Sequence, residues 1–253
     1  MPIRFFHKPG LVAYVTCGDP DLPATKAVVL AAIQAGADVI ELGVPFSDPV
    51  ADGPVIQRAS ERALRQGVSL RNVLELAAEV RRETAAGLIV FSYLNPILKF
   101  GLERFCSTAE AAGVDGALVT DLPVEEAGEY LARMRAHGLA TVFLAAPTSP
   151  DERLKRIAES CRGFVYAVSR TGVTGARAEL PADARSLAAR IRQFTALPVA
   201  VGFGISTAEQ VKAVGEFADA AVVGSAIMQA IENSPGAPAQ AVAELVNQLR
   251  MGC

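Results

Sequence analysis

Short apolar runs alternate with helix-like segments along the whole chain. In the helix-like segments apolar residues recur every three or four positions, which is typical of a helix that buries one face. The short runs are apolar at successive positions, so we expect the strands of a parallel sheet that is covered by helices. Eight strands are predicted, at residues 11–16, 38–44, 88–93, 116–120, 140–145, 163–169, 198–203 and 219–224.

The helical segments carry residues that are common at helix ends. Ser69 precedes an apolar stripe and is expected to cap that helix. Residues 149–152 and 206–209 both have the spacing of a capping box. Two helices, at residues 54–66 and 69–84, are predicted after the second strand, so this unit is longer than the others.

Eight alternations of strand and helix in 253 residues predict an α/β protein with a (β/α)8 TIM-barrel fold. An open, doubly wound sheet is the alternative, but the turn after the first strand, at residues 16–20, lacks the GxGxxG fingerprint of that fold. No shift in composition and no long linker divides the chain. We therefore expect residues 1–253 to form a single domain.

Composition excludes several classes of function. A formal net charge of −3, with both signs mixed evenly, argues against a nucleic-acid surface. No uninterrupted apolar run is long enough for a membrane span, and the start of the chain lacks the pattern of a secretory signal. With two histidines and no paired cysteines, we expect no metal site and a cytoplasmic location with reduced thiols at Cys17, Cys106, Cys161 and Cys253.

Two carboxyl groups near the second strand are the main candidates for chemistry. Glu41 lies inside the apolar run, where an unpaired carboxylate is costly to bury, and Asp52 lies on the loop that follows. We favour acid–base chemistry at the mouth of a barrel, because carboxyl groups buried in strands are rare without a role. The alternatives are a buried arginine partner for Glu41 and a turn position for Asp52, which precedes glycine.

Two glycine-rich turns follow the seventh and eighth predicted strands, at residues 202–206 and 224–227, and both are expected to open helices. Glycine lets backbone N–H groups approach an anion, and a helix start adds partial positive charge. Each turn alone could be an ordinary connection. Together, at the two loops where barrels often bind phosphate, they predict a phosphate site.

Other polar features have two interpretations each. The loop at residues 169–180 is rich in Gly and Thr and long for a barrel, so it is either a lid that closes over substrate or a plain surface loop. Tyr14 and Tyr166, near strand ends, either contact a ligand or belong to the core. Asp121 either caps a helix or lies at an interface, and His137 is expected at an exposed helix end.

Four motifs together resemble the α-subunit family of tryptophan synthase. They are Ile40-Glu-Leu-Gly-Val-Pro-Phe-Ser-Asp-Pro-x-Ala-Asp-Gly-Pro54, Asp121-Leu-Pro-x-Glu-Glu126, Tyr166-x-x-Ser-Arg-Thr-Gly-Val-Thr-Gly175 and Gly202-Phe-Gly-Ile-Ser206. The first motif is highly specific, and the resemblance extends from Leu11 over essentially the whole chain. One departure is the short segment at residues 1–10, which stands in place of the family's lead helix and predicts a barrel floor without that helix.

The resemblance implies a lyase that cleaves indole-3-glycerol phosphate to indole and glyceraldehyde 3-phosphate without cofactor or metal. It implies that Glu41 supplies and removes protons and that Asp52 hydrogen-bonds the indole nitrogen. An apolar setting that raises the pKa of Glu41 and a wetter one for Asp52 would suit these roles. It also implies phosphate contacts at Gly175, Gly204, Gly224 and Ser225, and indole-pocket or lid positions at Tyr14, Tyr166, Thr174 and Phe203.

The resemblance further implies a pyridoxal-phosphate β subunit as partner, in an α2β2 heterotetramer. The contact surface would comprise the loops after the second and sixth strands and the region near Asp121. The sequence leaves three alternatives open. These are another phosphate-binding barrel enzyme such as a sugar-phosphate isomerase or epimerase, a stand-alone lyase that releases indole, and a non-catalytic activator of a β subunit.

Overall fold

The computed structural model describes residues 3, 5–168, 182–202 and 204–253. Its strands are β1 (Gly10–Thr16), β2 (Val39–Gly43), β3 (Gly87–Ser92), β4 (Gly116–Val119), β5 (Ala140–Val142), β6 (Leu144–Ala145), β7 (Val165–Val168), β8 (Val199–Gly202) and β9 (Ala220–Val223). The strand positions that the apolar runs predict are confirmed, with small differences at the ends.

Helices follow the strands in the predicted alternation. They are α1 (Leu22–Gln34), α2 (Pro54–Arg65), α3 (Leu70–Arg81), α4 (Leu94–Phe100), α5 (Leu102–Ala111), α6 (Gly128–Ala136), α7 (Asp151–Ser160), α8 (Ala182–Ile191), α9 (Ala208–Gly215), α10 (Ser225–Asn233) and α11 (Pro238–Arg250), with a short 3-10 turn at Val124–Glu126 before α6. The predicted helix pair after the second strand is confirmed as α2 and α3. None of the helices in the described part of the chain combines the length and apolar character that crossing a membrane requires.

All neighbouring strands run parallel, in the order β5-β4-β3-β2-β1-β9-β8-β7-β6. The strands at the two ends of this order, β5 and β6, are consecutive pieces of one chain segment that Phe143 separates. The sheet therefore returns on itself, and its strands occupy the eight positions of a (β/α)8 barrel. The predicted TIM barrel is confirmed, and the open doubly wound sheet is excluded.

Side chains alternate along each strand between the barrel interior and the surrounding helices. Val39 belongs to the inner apolar cluster. Because side chains two positions apart on a strand share a face, Glu41 and Gly43 follow Val39 on the inner face of β2. Glu41 therefore lies inside the barrel, between an apolar layer below it and the mouth at the carboxyl ends of the strands. The other members of the inner cluster are Ile3, Val12, Ile89, Leu118, Ala140, Val142, Phe164, Ala200, Ala220 and Val222.

The amino-terminal segment closes the opposite end of the barrel, and its described residues, 3 and 5–9, form no helix. Ile3 is 7% exposed and packs into the inner cluster. The ring of Phe5 meets that of Phe164 edge-on, with 5.9 Å between centroids. Two apolar side chains, those of Ile3 and Phe5, thus fill the floor of the barrel.

Asp38, at the start of β2, anchors this floor. The carboxylate is buried and accepts hydrogen bonds from the backbone N–H groups of Phe6 (3.0 Å) and Leu11 (2.8 Å). It also pairs with Arg250 at 2.6 Å and lies 2.8 Å from Nδ1 of His7. Since Arg250 ends α11, one buried carboxylate joins the amino-terminal segment, β2 and the last helix.

Capping signals are a less reliable guide than apolar runs. Ser69 immediately precedes α3, and its N–H donates to the side chain of Asn72 at 3.1 Å, so the predicted cap is confirmed. The capping box predicted at residues 149–152 is wrong, because α7 begins after Pro150 without a side-chain cap. The hydroxyl of Ser149 instead accepts a hydrogen bond within the preceding turn.

Candidate active site

Glu41 is buried, and it has no partner in the described part of the chain. Its side chain is 1% exposed, and neither carboxyl oxygen makes a hydrogen bond to any residue that the structure describes. Burial raises the pKa of Glu41 to about 8, because the charged form has lost its water. At neutral pH this group therefore carries a proton that it can donate, and among the described residues Glu41 has no buried arginine partner.

A network in the loop after β2 positions Asp52. The N–H of Ala51 donates to the hydroxyl of Tyr93 at 3.0 Å, and this hydroxyl donates to Oδ2 of Asp52 at 3.2 Å. On the helical side, Nε2 of Gln57 in α2 donates to the backbone oxygen of Asp52 at 2.8 Å. Asp52 is therefore fixed by its side chain to the end of β3 and by its backbone to α2.

Asp52 and Glu41 differ in protonation at neutral pH. Asp52 is partly exposed, and burial raises its pKa to about 6 while the hydrogen bond from Tyr93 opposes the rise. Asp52 is thus mostly ionised under conditions in which Glu41, with a pKa of about 8, is mostly protonated. Two carboxyl groups whose environments separate their pKa values can serve as acid and base in one reaction.

Tyr14 and Tyr166 lie on the same inner surface as Glu41. Tyr14 is paired with Glu41 in the register of β1 and β2, and its hydroxyl shares a 3.2 Å hydrogen bond with Thr16. Burial raises the pKa of both phenols, and the negative charges of Glu41 and Asp52 add to this effect. Both tyrosines therefore stay neutral and present an aromatic wall with a polar tip to the barrel mouth.

Gly43 and Gly202 make room for these phenols, a role that the sequence analysis assigned to neither glycine. A side-chain carbon at Gly43 would overlap the hydroxyl of Tyr14, and one at Gly202 would overlap the hydroxyl of Tyr166. Gly43 stands inside an apolar strand, where glycine weakens packing unless another group needs the space. A glycine inside an apolar strand is therefore the sequence signal that could have identified Gly43.

Tyr93 is the other residue that sequence reasoning missed. It is 3% exposed, follows β3, and its ring packs against Phe46 with 4.9 Å between centroids. Its place directly after a strand is the signal that could have found it, because the barrel brings all such residues to one face.

The glycine turn before α10 leaves the start of that helix accessible to an anion. Gly224 directly precedes α10 and, as a glycine, offers no side-chain cap to the N–H groups of the first turn, which begins at Ser225. A helix start with free N–H groups favours a bound anion.

The turn after β8 differs from its prediction. The capping box expected at residues 206–209 is shifted by one residue, because Thr207 and Gln210 form it and satisfy the start of α9. Gly204 lies before this cap, with a φ of 67° that favours glycine. Any anion contact from this turn would therefore come from the loop around Gly204.

The remaining predicted residues lie elsewhere or outside the described residues. Thr174, Gly175, Phe203 and the loop at residues 169–180 fall outside them. Oδ1 of Asp121 accepts a 2.7 Å hydrogen bond from the N–H of Leu94, so it ties the loop after β4 to the start of α4. His137 follows α6, as expected, but it is half-buried between Glu103 and Glu110, away from the barrel mouth. The described residues contain no group of three His, Cys, Asp or Glu that could hold a metal ion.

A closed parallel barrel, with two carboxyl groups of separated pKa at its mouth, defines the class of α/β-barrel enzymes. The family model for the tryptophan synthase alpha chain matches residues 4–252. The chain belongs to this family, and it is a lyase for indole-3-glycerol phosphate.

Individual relatives agree with this assignment. The tryptophan synthase alpha chain of Solibacter usitatus is 53% identical over 228 residues, which cover 90% of this chain and 85% of the relative. That of Geobacter sulfurreducens is 49% identical over 249 residues, which cover 98% and 94%. The structure of Mycobacterium tuberculosis tryptophan synthase superimposes with a TM-score of 0.91 at 38% identity, covering 97% of this chain and 92% of that one. The tryptophan synthase complex of Pyrococcus furiosus gives 0.90 at 40% identity, covering 98% and 100%.

Proposed function

We propose that Glu41 and Asp52 carry out the cleavage of indole-3-glycerol phosphate. Protonated Glu41 gives its proton to C3 of the indole ring. The ring N–H becomes more acidic as positive charge develops, and it donates a hydrogen bond to the Asp52 carboxylate. This division of labour is supported by a pKa of about 8 for Glu41 and about 6 for Asp52.

The second step breaks the bond between C3 and the glycerol chain. The ionised Glu41 takes the proton of the neighbouring glycerol hydroxyl, whose oxygen becomes the aldehyde oxygen of glyceraldehyde 3-phosphate. The electrons of the broken bond return to the indole ring and neutralise it. Glu41 ends the cycle protonated, so one carboxyl group serves as both acid and base and no other reactant is needed.

Binding would use the mouth of the barrel around these carboxyl groups. We assign the walls of the indole pocket to Tyr14 and Tyr166, together with Thr174 and Phe203. The phosphate would bind at Gly204, Gly224 and Ser225, together with Gly175. The uncapped start of α10 supports this arrangement, because it offers N–H groups to an anion.

One observation carries the proposal: Glu41 is buried inside the barrel with no hydrogen-bond partner for either oxygen among the described residues. Burying a carboxyl group without hydrogen bonds lowers the stability of the fold, so a chemical role is the simplest reason for its presence.

The test is the Glu41→Gln variant, which keeps the shape of the side chain and removes the acid. Indole release from indole-3-glycerol phosphate should fall by about 10³-fold or more, the range of a lost general acid–base group. Glu75→Gln, a change at an exposed position of α3, is the control and should leave turnover unchanged. Substantial turnover in Glu41→Gln would remove Glu41 from the mechanism.

We further propose a cytoplasmic complex with a tryptophan synthase β subunit. The Pyrococcus furiosus structure is of a tryptophan synthase complex. In this chain, Val50 on the loop after β2 and Leu98 on α4 are large apolar side chains with 85% and 56% exposure, near the loop that Asp121 anchors. Apolar exposure of this kind is typical of an interface. The four free thiols suit a reducing compartment.

Titration with a β subunit distinguishes this complex from the alternatives. We expect faster indole formation and a stable complex, both weakened by Val50→Asp. Phe6→Asp, at an exposed apolar position on the opposite end of the barrel, is the matched control. Full turnover without binding would indicate a stand-alone lyase, and binding without turnover would indicate a non-catalytic activator.

A further inference from the structure

The two halves of the proposed site are each attached to the start of a helix. α2 begins two residues after Asp52, and Gln57 in its first turn holds the backbone of Asp52. α10 begins at Ser225, in the proposed phosphate turn. The two helices pack side by side, with Ile56 of α2 close to Gly224. The spacing between α2 and α10 therefore sets the spacing between Asp52 and the phosphate.

Arg62 joins these helices to the loop after β1. Its Nε and Nη2 donate to the two oxygens of Asp19 at 2.7 and 2.8 Å, and its Nη1 donates to Glu232 at 2.8 Å. Asp19 is 1% exposed, whereas Arg62 is partly exposed. The three nitrogens of one guanidinium thus contact two carboxylates, one from the loop after β1 and one from α10.

Arg62 and Glu232 lie at similar distances from the starts of their helices, α2 and α10. With a rise of about 1.5 Å per residue, Arg62 is about 12 Å from the start of α2 and Glu232 about 10 Å from the start of α10. A second arginine of α2, Arg58, also binds Glu232 in a bidentate manner, at 2.9 and 2.7 Å. Arg58 and Arg62 lower the pKa of Glu232 to about 2, so the carboxylate stays charged throughout the working pH range.

We infer that Arg62 is a positioning residue that holds the phosphate-binding helix α10 at a fixed distance from the Asp52 loop, through its paired contacts with Asp19 and Glu232. The inference rests on the proposed function of these two half-sites. A substrate that spans both halves must find them at the right separation, and a misplacement of about 1 Å can reduce the rate by about 10²-fold. A ligand that occupies one half only does not depend on that separation.

The shape of the guanidinium explains why arginine is required. Its planar fork places donors in three directions at once, whereas the ammonium of lysine is a point charge on a flexible stem. Arg62→Lys keeps the charge and can contact Asp19 or Glu232, but it cannot hold both in the same geometry. It should therefore behave like Arg62→Gln in positioning, although it retains the charge.

The experiment compares ligands that span the site with ligands that fill one half. Arg62→Lys, Arg62→Gln and Glu232→Gln are made in the full chain. Arg65→Gln is the control, because this exposed arginine lies on the same helix and only approaches Glu61 at 3.7 Å. Dissociation constants are measured for indole, for glycerol 3-phosphate and for an uncleavable indole–propyl–phosphate. The KM and kcat for indole-3-glycerol phosphate are measured in parallel.

In the Arg62 variants we expect the spanning analogue to bind about tenfold more weakly and the KM to rise by a similar factor. The constants for indole and glycerol 3-phosphate should stay within about twofold of the parent. If glycerol 3-phosphate were the only ligand that bound more weakly, the contact between Arg62 and Glu232 would support α10 itself, and this would overturn the inference. So would unchanged binding of the spanning analogue, or a fall in kcat alone together with lower stability.

The binding measurements do not require cleavage. If Glu41→Gln retained turnover, the proposed mechanism would fail, while the comparison of spanning and single-site ligands would still decide the role of Arg62.

Discussion

Asp38 directly precedes β2 and Glu41 is the middle residue of that strand; both are buried carboxyl groups, and their surroundings are opposite. Asp38, at the floor, receives two backbone N–H groups and pairs with Arg250. Glu41, toward the mouth, receives no hydrogen bond from any residue that the structure describes.

The difference separates two uses of a buried acid. At the floor the carboxylate is compensated by donors and a cation, so it holds segments of the chain together. Toward the mouth, burial raises the pKa of Glu41 to about 8 and leaves the proton available. Burial alone therefore does not identify a catalytic acid; burial without partners is the informative observation.

Replacing each acid with its amide should give the largest difference, which is expected in the free energy of unfolding. Asp38→Asn removes the partner of Arg250, which is itself largely buried, so we expect the free energy of unfolding to fall by about 3 kcal/mol. Glu41→Gln replaces a neutral buried acid with a neutral amide and should cost much less. Urea unfolding at pH 7 measures both. An equal loss for the two variants would contradict the comparison, and turnover per folded molecule should survive only in Asp38→Asn.

The pH dependence of activity sharpens the comparison further. The reaction needs Asp52 ionised and Glu41 protonated, so kcat/KM should be highest between the pKa values of about 6 and about 8. Outside this range it should fall about tenfold per pH unit. A profile that stays flat from pH 5 to 9 would contradict the assignment of both groups.

Stability provides an independent check on the same group. The folded-state pKa of Glu41, about 8, lies above its ordinary value of 4.5, so the folded chain holds this proton more tightly than the unfolded chain. The free energy of unfolding should therefore decrease as the pH rises from about 4.5 to about 8, and level off above that range. Glu41→Gln should lack this component of the pH dependence.

Tyr93→Phe should give the smallest of these effects. The variant loses the hydroxyl that links Ala51 to Asp52, and hydrogen bonds to a charged group are each worth about 1.5 kcal/mol or more, so kcat/KM should fall about tenfold. Because the hydrogen bond from Tyr93 lowers the pKa of Asp52, the acid limb of the profile should move to higher pH.

Tyr130→Phe is the matched control for Tyr93. Its hydroxyl is also buried, but it donates to the backbone of Ala117 at 3.3 Å. If Tyr130→Phe shifted the acid limb as Tyr93→Phe does, the shift would reflect general loosening of the barrel and not the contact with Asp52.

The barrel could be predicted because its signal is carried by runs of neighbouring residues. A strand such as β2 is apolar at nearly every position, so its location can be predicted without knowledge of tertiary contacts. The fifth strand was predicted as one piece, at residues 140–145, whereas its two parts pair with opposite neighbours on either side of Phe143. A break of this kind depends on barrel closure, and local sequence does not contain it.

Only part of the candidate site could be predicted from neighbouring residues in the sequence. Glu41 stood out because it contradicts its apolar surroundings in the sequence. Tyr93 and Arg62 did not stand out, because their partners are more than 40 positions away in the sequence. Tyr93 contacts Asp52, and Arg62 contacts Asp19. The paired contacts of one arginine with two carboxylates depend on three-dimensional closure, so they require coordinates.

Gly43 and Gly202 leave room for two phenols on the inner surface of the barrel. The hydroxyl of Tyr14 occupies the space that a side chain at Gly43 would need, and the hydroxyl of Tyr166 occupies the corresponding space at Gly202. A single added methyl group at either glycine would overlap a tyrosine hydroxyl, so the phenol or the strand would have to move. The position of two phenols in the barrel thus depends on two residues that have no side chain of their own.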